Sequence, residues 1–408
     1  MINLKKYSLL ALGYFFLIAL LGVLLRSFSV SNFNFNYKYV VHTHSHIALL
    51  GWVYTALMIL IYKLYLNNIS ISKKFKRLFW VTQITILGML LSFPFTGYAF
   101  FSILFSTLFL VASYAFCHMV FKHTPLKMKQ TNSYKCVQIG LWYMVISSLG
   151  PLALGIIMST MGSASSWYRN AIYFYLHFQY NGWFIMALFG ILFYTLKQNN
   201  IQVSNNTFKR FFVLMNIGVV LTLAISILWM KVHTYINIIA GIGALFQILA
   251  FGILVKRIIT LNHQIKHSFS KNYLSILKIV LIFFSIKLLL QFTGTLPSIS
   301  STIASNIHLI IGYLHWIFLG VCSFLLLGFL NYFKFIQLTK GCLNFYLLGF
   351  LLMEFVILYN GIAIWKNLYL PEKQPYFILA CSVIFLFALM YIFLLQFNTK
   401  KINKLKKT

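Results

Sequence analysis

Seven histidines stand inside or at the edge of apolar runs: His42, His44, His46, His177, His233, His308 and His315. The chain has 11 histidines in all, so most of them share this setting. The other four, His118, His123, His263 and His267, adjoin Lys-rich connections and read as solvated residues. Neutral imidazole is the commonest metal ligand. It is also a usual axial ligand of haem iron. An ionisable group inside lipid is costly and usually has a function. Several imidazoles at one depth, with almost no carboxylates near them, therefore point to a buried metal or haem site. The competing reading is that these histidines hydrogen-bond across helices.

Spacing adds detail. On a helix His42 and His46 share a face and His44 points elsewhere. His308 and His315, seven apart, lie on one face and are separated by roughly 10 Å along the axis. Ala48 and Gly51 follow His46, small enough for a flat macrocycle or another helix to come close. Glu354 is the one acid within an apolar run. Lys287 is a lone cation in another such run, either the remnant of a proton relay or a side chain that snorkels or meets a backbone carbonyl. The cysteines, Cys117, Cys136, Cys322, Cys342 and Cys381, form no CxxC pair, which excludes zinc-ribbon, thioredoxin and covalent-haem motifs. They read as buried unpaired thiols.

Helices that cross a bilayer must position these residues. The chain has 408 residues, 61% hydrophobic and only 9% charged. Soluble domains are about half apolar and about a quarter charged. So much apolar surface needs lipid as its solvent. Runs long enough to span occur near 7–25, 40–66, 78–95, 97–121, 136–160, 168–196, 209–230, 232–255, 273–293, 302–332, 342–365 and 375–396. The expected fold is all-α, a polytopic bundle of about 12 transmembrane helices. The first run lacks a small-residue cleavage site and reads as a retained span. Residues 1–408 read as a single transmembrane domain with no internal repeat.

Lys and Arg number 33 against 2 acids, a net charge of +31. The cations sit between apolar runs, as orientation signals do, so nucleic acid is excluded as a partner and the bilayer is the expected one. They gather at the N-terminus (Lys5, Lys6), in the even-numbered connections (Lys73, Lys74, Lys76 and Arg77 in the second) and at the C-terminus (Lys400 to Lys407). The odd-numbered connections hold only Arg26, Lys38, Arg169, Lys231, Lys366 and Lys373. By the positive-inside rule both termini face the cytoplasm of a cell whose inner membrane the protein spans. The histidine-bearing helices two, six, eight and ten then all run inward, which puts the seven histidines in the outer half.

The runs H-T-H-S-H-I-A-L-L-G-W at 42–52 and Y-L-H-F-Q-Y-N-G-W-F at 175–184, with the paired histidines of helix ten, resemble the catalytic subunit of the haem–copper oxidase superfamily. The likeness is nearest to the nitric oxide reductases and C-type oxidases. It implies a subunit-I-like bundle in which a second-helix histidine (His42, His44 or His46) and His315 hold a haem and His308 faces another haem. It also implies that His177, with His308 or His233 as the further candidate, holds copper or non-haem iron. Asn181 stands where the nitric oxide reductase pattern H-x-x-x-E-G has glutamate. No adjacent His-His pair follows the seventh helix, so the second-metal ligand set is incomplete. The H-x-H helix start is also similar to the haem- and copper-containing membrane proteins linked to nitric oxide stress. The resemblance implies redox chemistry or binding of O2 or NO, with electrons from a donor subunit or cytochrome. A secondary transporter and a non-catalytic assembly partner of a respiratory complex are the alternatives. No G-x-S-x-G, Walker sequence or paired carboxylates point to a hydrolase.

Overall fold

The computed structural model describes residues 2–67, 69–230 and 232–405, with side chains apart from those of Ile69 and residues 398–405. Three of the cations counted above, Lys231, Lys406 and Lys407, lie outside the described residues. Among the described residues there is no strand, and 12 helices are long and apolar enough to cross a membrane. They are α1 (Leu4–Ser27), α2 (Tyr37–Leu66), α3 (Ser70–Thr96), α4 (Phe100–His123), α5 (Asn132–Thr160) and α6 (Ser166–Gln198), followed by α7 (Asn205–Ile227), α8 (Thr234–Thr260), α9 (Lys271–Thr293), α10 (Ile307–Tyr332), α11 (Lys340–Lys366) and α12 (Gln374–Phe397). The expected all-helical membrane bundle is therefore what the chain forms.

Polar side chains start many of these helices. Asn36 accepts from the Lys38 and Tyr39 amides ahead of α2, Thr131 from Tyr134 ahead of α5, and Ser165 from Trp167 ahead of α6. Such caps satisfy backbone donors that a helix cannot pair internally. Asn306 explains where the tenth span begins. Its side chain accepts from the Leu309 amide, so α10 starts at Ile307 and the expected start at 302 falls in a separate short helix, Pro297–Ser305. The third span also starts earlier than its apolar run. Lys73, Lys74, Lys76 and Arg77 lie on its first turns and not in a loop. Long cationic side chains can reach water from there.

The turn at Pro94 to Gly97 is as tight as its composition implies. Gly97 has φ +59°, and a Cβ there would lie 2.3 Å from the Tyr39 ring, so only glycine fits between α3 and α4 at that point.

The chain's contacts gather into two compact units. One comprises Met1–Thr124, Leu326–Ala363 and Asn367–Thr408, and the other Pro125–Leu325 with Ile364–Lys366. The first holds α1 to α4, α12 and most of α11; the second holds α5 to α9 and the start of α10. Both acids of the protein, Glu354 and Glu372, belong to the first unit, so the second contains no carboxylate side chain.

Three helices are set apart by burial. The apolar windows of α2, α6 and α10 are 89%, 83% and 56% buried, against 28% to 44% for the other nine. These three carry six of the seven histidines read above as chemically placed. Each also leaves α-helical geometry. Wider π turns, with i→i+5 bonding, run over Ile47–Tyr54 in α2, Phe178–Phe184 in α6 and Trp316–Ser323 in α10.

Candidate functional site

Of the four π segments among the described residues, three begin on the residue after a histidine, His46, His177 and His315, and the fourth, Tyr62–Leu66 further along α2, follows Ile61. After each of these histidines a glycine follows five residues later, at Gly51, Gly182 and Gly320. The sequence thus carries a threefold H-x-x-x-x-G repeat, four spans apart each time. The motif is short and its intervening residues differ, so it emerges only when the backbone change marks the same place three times. Two of the glycines have matching surroundings. A Cβ on Gly51 would lie 3.0 Å from the Tyr14 ring of α1, and one on Gly182 would lie 2.6 Å from the Tyr143 ring of α5. In both cases a tyrosine of the preceding span fills the space that the absent side chain leaves.

In the first unit the i, i+4 reading of α2 holds. His42 and His46 both face the turn between α3 and α4. His42 packs edge-on to Tyr98 with ring centres 4.7 Å apart, and His46 lies 4.4 Å from Phe93. The His46 Nδ1 lies 2.8 Å from the His42 carbonyl oxygen. That oxygen can only accept, so Nδ1 carries the hydrogen and, in the neutral ring, Nε2 carries the lone pair. His44 turns the other way, onto α1. A Cβ on Gly22 would sit 3.5 Å from its Cε1. One turn on, Arg26 interacts electrostatically with both His44 and Glu354. Glu354 is 1% exposed, and neither of its oxygens has a hydrogen-bond partner among the described residues.

In the second unit a buried polar chain runs through α6. Lys287 of α9 donates to the Asn181 Oδ1 at 2.7 Å and to the Gln291 Oε1. Asn181 Nδ2 faces His177 Nδ1 at 3.2 Å, and His177 Nε2 lies 2.8 Å from the Val219 carbonyl oxygen on α7. The assignment of protons follows from these contacts. A protonated lysine has no acceptor, so with Lys287 as the ammonium the Asn181 oxygen must face it and the Asn181 NH2 must face His177. The Nδ1 of His177 then accepts, and its Nε2–H donates to Val219. Tyr313 of α10 donates to the Gln291 Oε1 at 3.4 Å. Lys287, His177, Asn181 and Gln291 are 1% to 5% exposed. Lys287 therefore neither snorkels nor meets a backbone carbonyl; it is held by two side-chain amides.

This arrangement bears on the residues proposed from sequence for a second metal. Both ring nitrogens of His177 are engaged, so as placed the ring offers no lone pair to an ion. His233 is exposed at the start of α8, where it stacks on Tyr235, and the structure does not bring it to His177. Among the described residues no group of three His, Cys, Asp or Glu is placed to hold a metal ion. The residues present at His177 do not fit copper or non-haem iron. His308 and His315 lie half-buried on α10. His118, His263 and His267 are exposed at the helix ends, as read, while His123 is half-buried. All five cysteines are unpaired, four of them buried and Cys381 partly so.

Sequence reading singled out Asn181 and Lys287 but missed Gln291 and Tyr313. The signal for Gln291 was its place one turn after Lys287 in an otherwise apolar span, which puts the two on one face. No family model matches the chain, and no curated protein matches it.

Proposed function

We propose that this chain is a haem-binding membrane protein of redox or gas-binding function, similar to the catalytic subunits of haem–copper oxidases and nitric oxide reductases, with an incomplete second-metal site. The observation that carries the reading is the recurrence of one local device. A histidine, a π turn and a glycine come together in each of the three most buried helices. π turns are frequent at functional sites because they cost regular hydrogen bonding. Three of them, each starting behind a histidine, are hard to account for as packing alone.

His46 fits the part of an axial haem ligand. Its ring is fixed through Nδ1 by a backbone carbonyl, which sets the tautomer and leaves Nε2 as the donor atom. Phe93 and Tyr98 hold the ring in place. When bound, haem supplies reversible one-electron chemistry and an iron that takes a small ligand such as O2 or NO. The chain has no covalent-haem motif of its own, so electrons come from a donor subunit or cytochrome. At the position of the second metal, Lys287 supplies a positive charge through Asn181. The protein lies in the inner membrane with both termini cytoplasmic, on the strength of the positive-inside pattern.

The test is a reduced-minus-oxidised absorption spectrum of the purified protein, with metal analysis on the same sample. Haem bands are expected in the wild type and in His233→Ala, and are lost in His46→Ala. A colourless, iron-free protein from haem-replete cells would overturn the reading and leave the transporter and the assembly partner.

A further inference from the structure

Lys287 poses a problem of charge. Its side chain is 1% exposed, deep in a span, and the unit around it holds no carboxylate side chain. An isolated ammonium in an apolar medium is among the costliest groups to bury, and removal of its counter-charge is what makes it so. Its acidic neighbour is a thiol, Cys322, with which it interacts electrostatically. The hydrogen bonds to Asn181 and Gln291 use two of the three ammonium N–H groups.

Gln291 adds a second, independent observation. Its oxygen accepts from Lys287 and from Tyr313, so its amide orientation is set, and the Nε2 group is turned away from both. That NH2 is buried and has no partner among the described residues, although the side chain is 4% exposed. Lys287 and Gln291 lie one turn apart on α9. The Gln291 NH2 therefore remains a donor without an acceptor, beside an amine whose further neighbour is the Phe284 ring, 5.7 Å from Nζ. A cluster of that composition accepts a small electron-rich species and repels a cation.

We propose that the Lys287 and Gln291 donors on α9, flanked by Asn181 of α6 and Tyr313 of α10, bind a small monovalent anion that acts as the counter-ion of the ammonium. A halide or a small oxyanion has the right charge. Binding completes the hydrogen bonding of Gln291 and compensates Lys287, which in turn holds Asn181 and the tautomer of His177. The inference does not depend on haem, and its readout is separate from any haem band.

The experiment is thermal unfolding of the detergent-purified full-length protein in sodium bromide, chloride or nitrate against sodium gluconate at equal ionic strength. The midpoint is expected to rise with bromide along a saturating curve, as ligand linkage requires. The response is lost in Lys287→Met. In Gln291→Glu, which supplies a carboxylate one turn from Lys287, the response is also lost and the gluconate midpoint rises toward the bromide-saturated wild type. Cys322→Ser keeps the bromide response. Identical wild-type midpoints in bromide and gluconate would show that the amine is neutral or served by the thiolate, and would overturn the proposal. A bromide response that survives in Gln291→Glu would place the anion elsewhere and overturn it equally.

Discussion

Lys287 donates to Asn181 across 2.7 Å, and that bond decides which nitrogen of His177 carries the proton. The amide cannot turn over without setting an NH2 against an ammonium, so a residue on α9 fixes the state of a histidine on α6. Asn181→Ala removes the acceptor from a buried cation and the donor from His177 together. Hydrogen bonds to charged groups contribute about 1.5–3 kcal/mol, and a buried group left unpaired costs more. The variant is expected to lose about 3 kcal/mol of unfolding free energy by denaturant titration in micelles. A loss below about 1 kcal/mol would mean that the chain of contacts contributes little.

The glycines at the π turns offer a steric test. Gly182→Ala places a carbon 2.6 Å from the Tyr143 ring, which is itself held by a 2.9 Å bond from its hydroxyl to Asn216. Overpacking of this kind costs about 1–3 kcal/mol. Gly155 meets nothing within 4 Å, so Gly155→Ala should leave the melting temperature unchanged or raise it slightly. Equal effects of the two substitutions on thermal stability would show that the Tyr143 contact does not constrain α6.

Arg26 and Glu354 interact electrostatically with no direct bond between them among the described residues, and a double-mutant cycle can measure the coupling. Among the described residues Glu354 has no hydrogen-bond donor, and Arg26 is a charged group that acts on it. Arg26→Met alone is expected to destabilise by about 0.5–1 kcal/mol, the coupling of two groups that interact without a direct bond. Glu354→Gln in the same background should recover most of that loss. Strictly additive effects in chemical denaturation would show that the two side chains are not coupled.

Orientation is open to a direct check. A green fluorescent protein fused after the C-terminal helix should fluoresce, and alkaline phosphatase fused in the connection between α1 and α2 should be active. The opposite pattern would reverse the assignment of the cationic connections to the cytoplasm, and with it the placement of the histidines in the outer half.

Some of the site was readable because helix geometry is local. The i, i+4 rule put His42 and His46 on one face, where they pack together against Phe93 and Tyr98, and turned His44 toward α1. The start of α10 was misplaced by hydropathy alone, since an apolar run does not reveal that Asn306 caps the helix inside it. Lys287 was readable as an anomaly but not as a partner of Asn181, because the two are 106 positions apart in the chain.

By itself the sequence determined the twelve spans and their order, since a bilayer demands about twenty apolar residues per crossing and tolerates few exceptions. It also determined which helices carry the imidazoles. The tertiary structure decided everything that depends on which side chain meets which. It placed α2, α6 and α10 among the most buried helices and opened π turns behind His46, His177 and His315. It also engaged both nitrogens of His177 in hydrogen bonds. Hydropathy is a property of segments, whereas a hydrogen-bond chain is a property of distances between segments, and those exist only once the helices have packed.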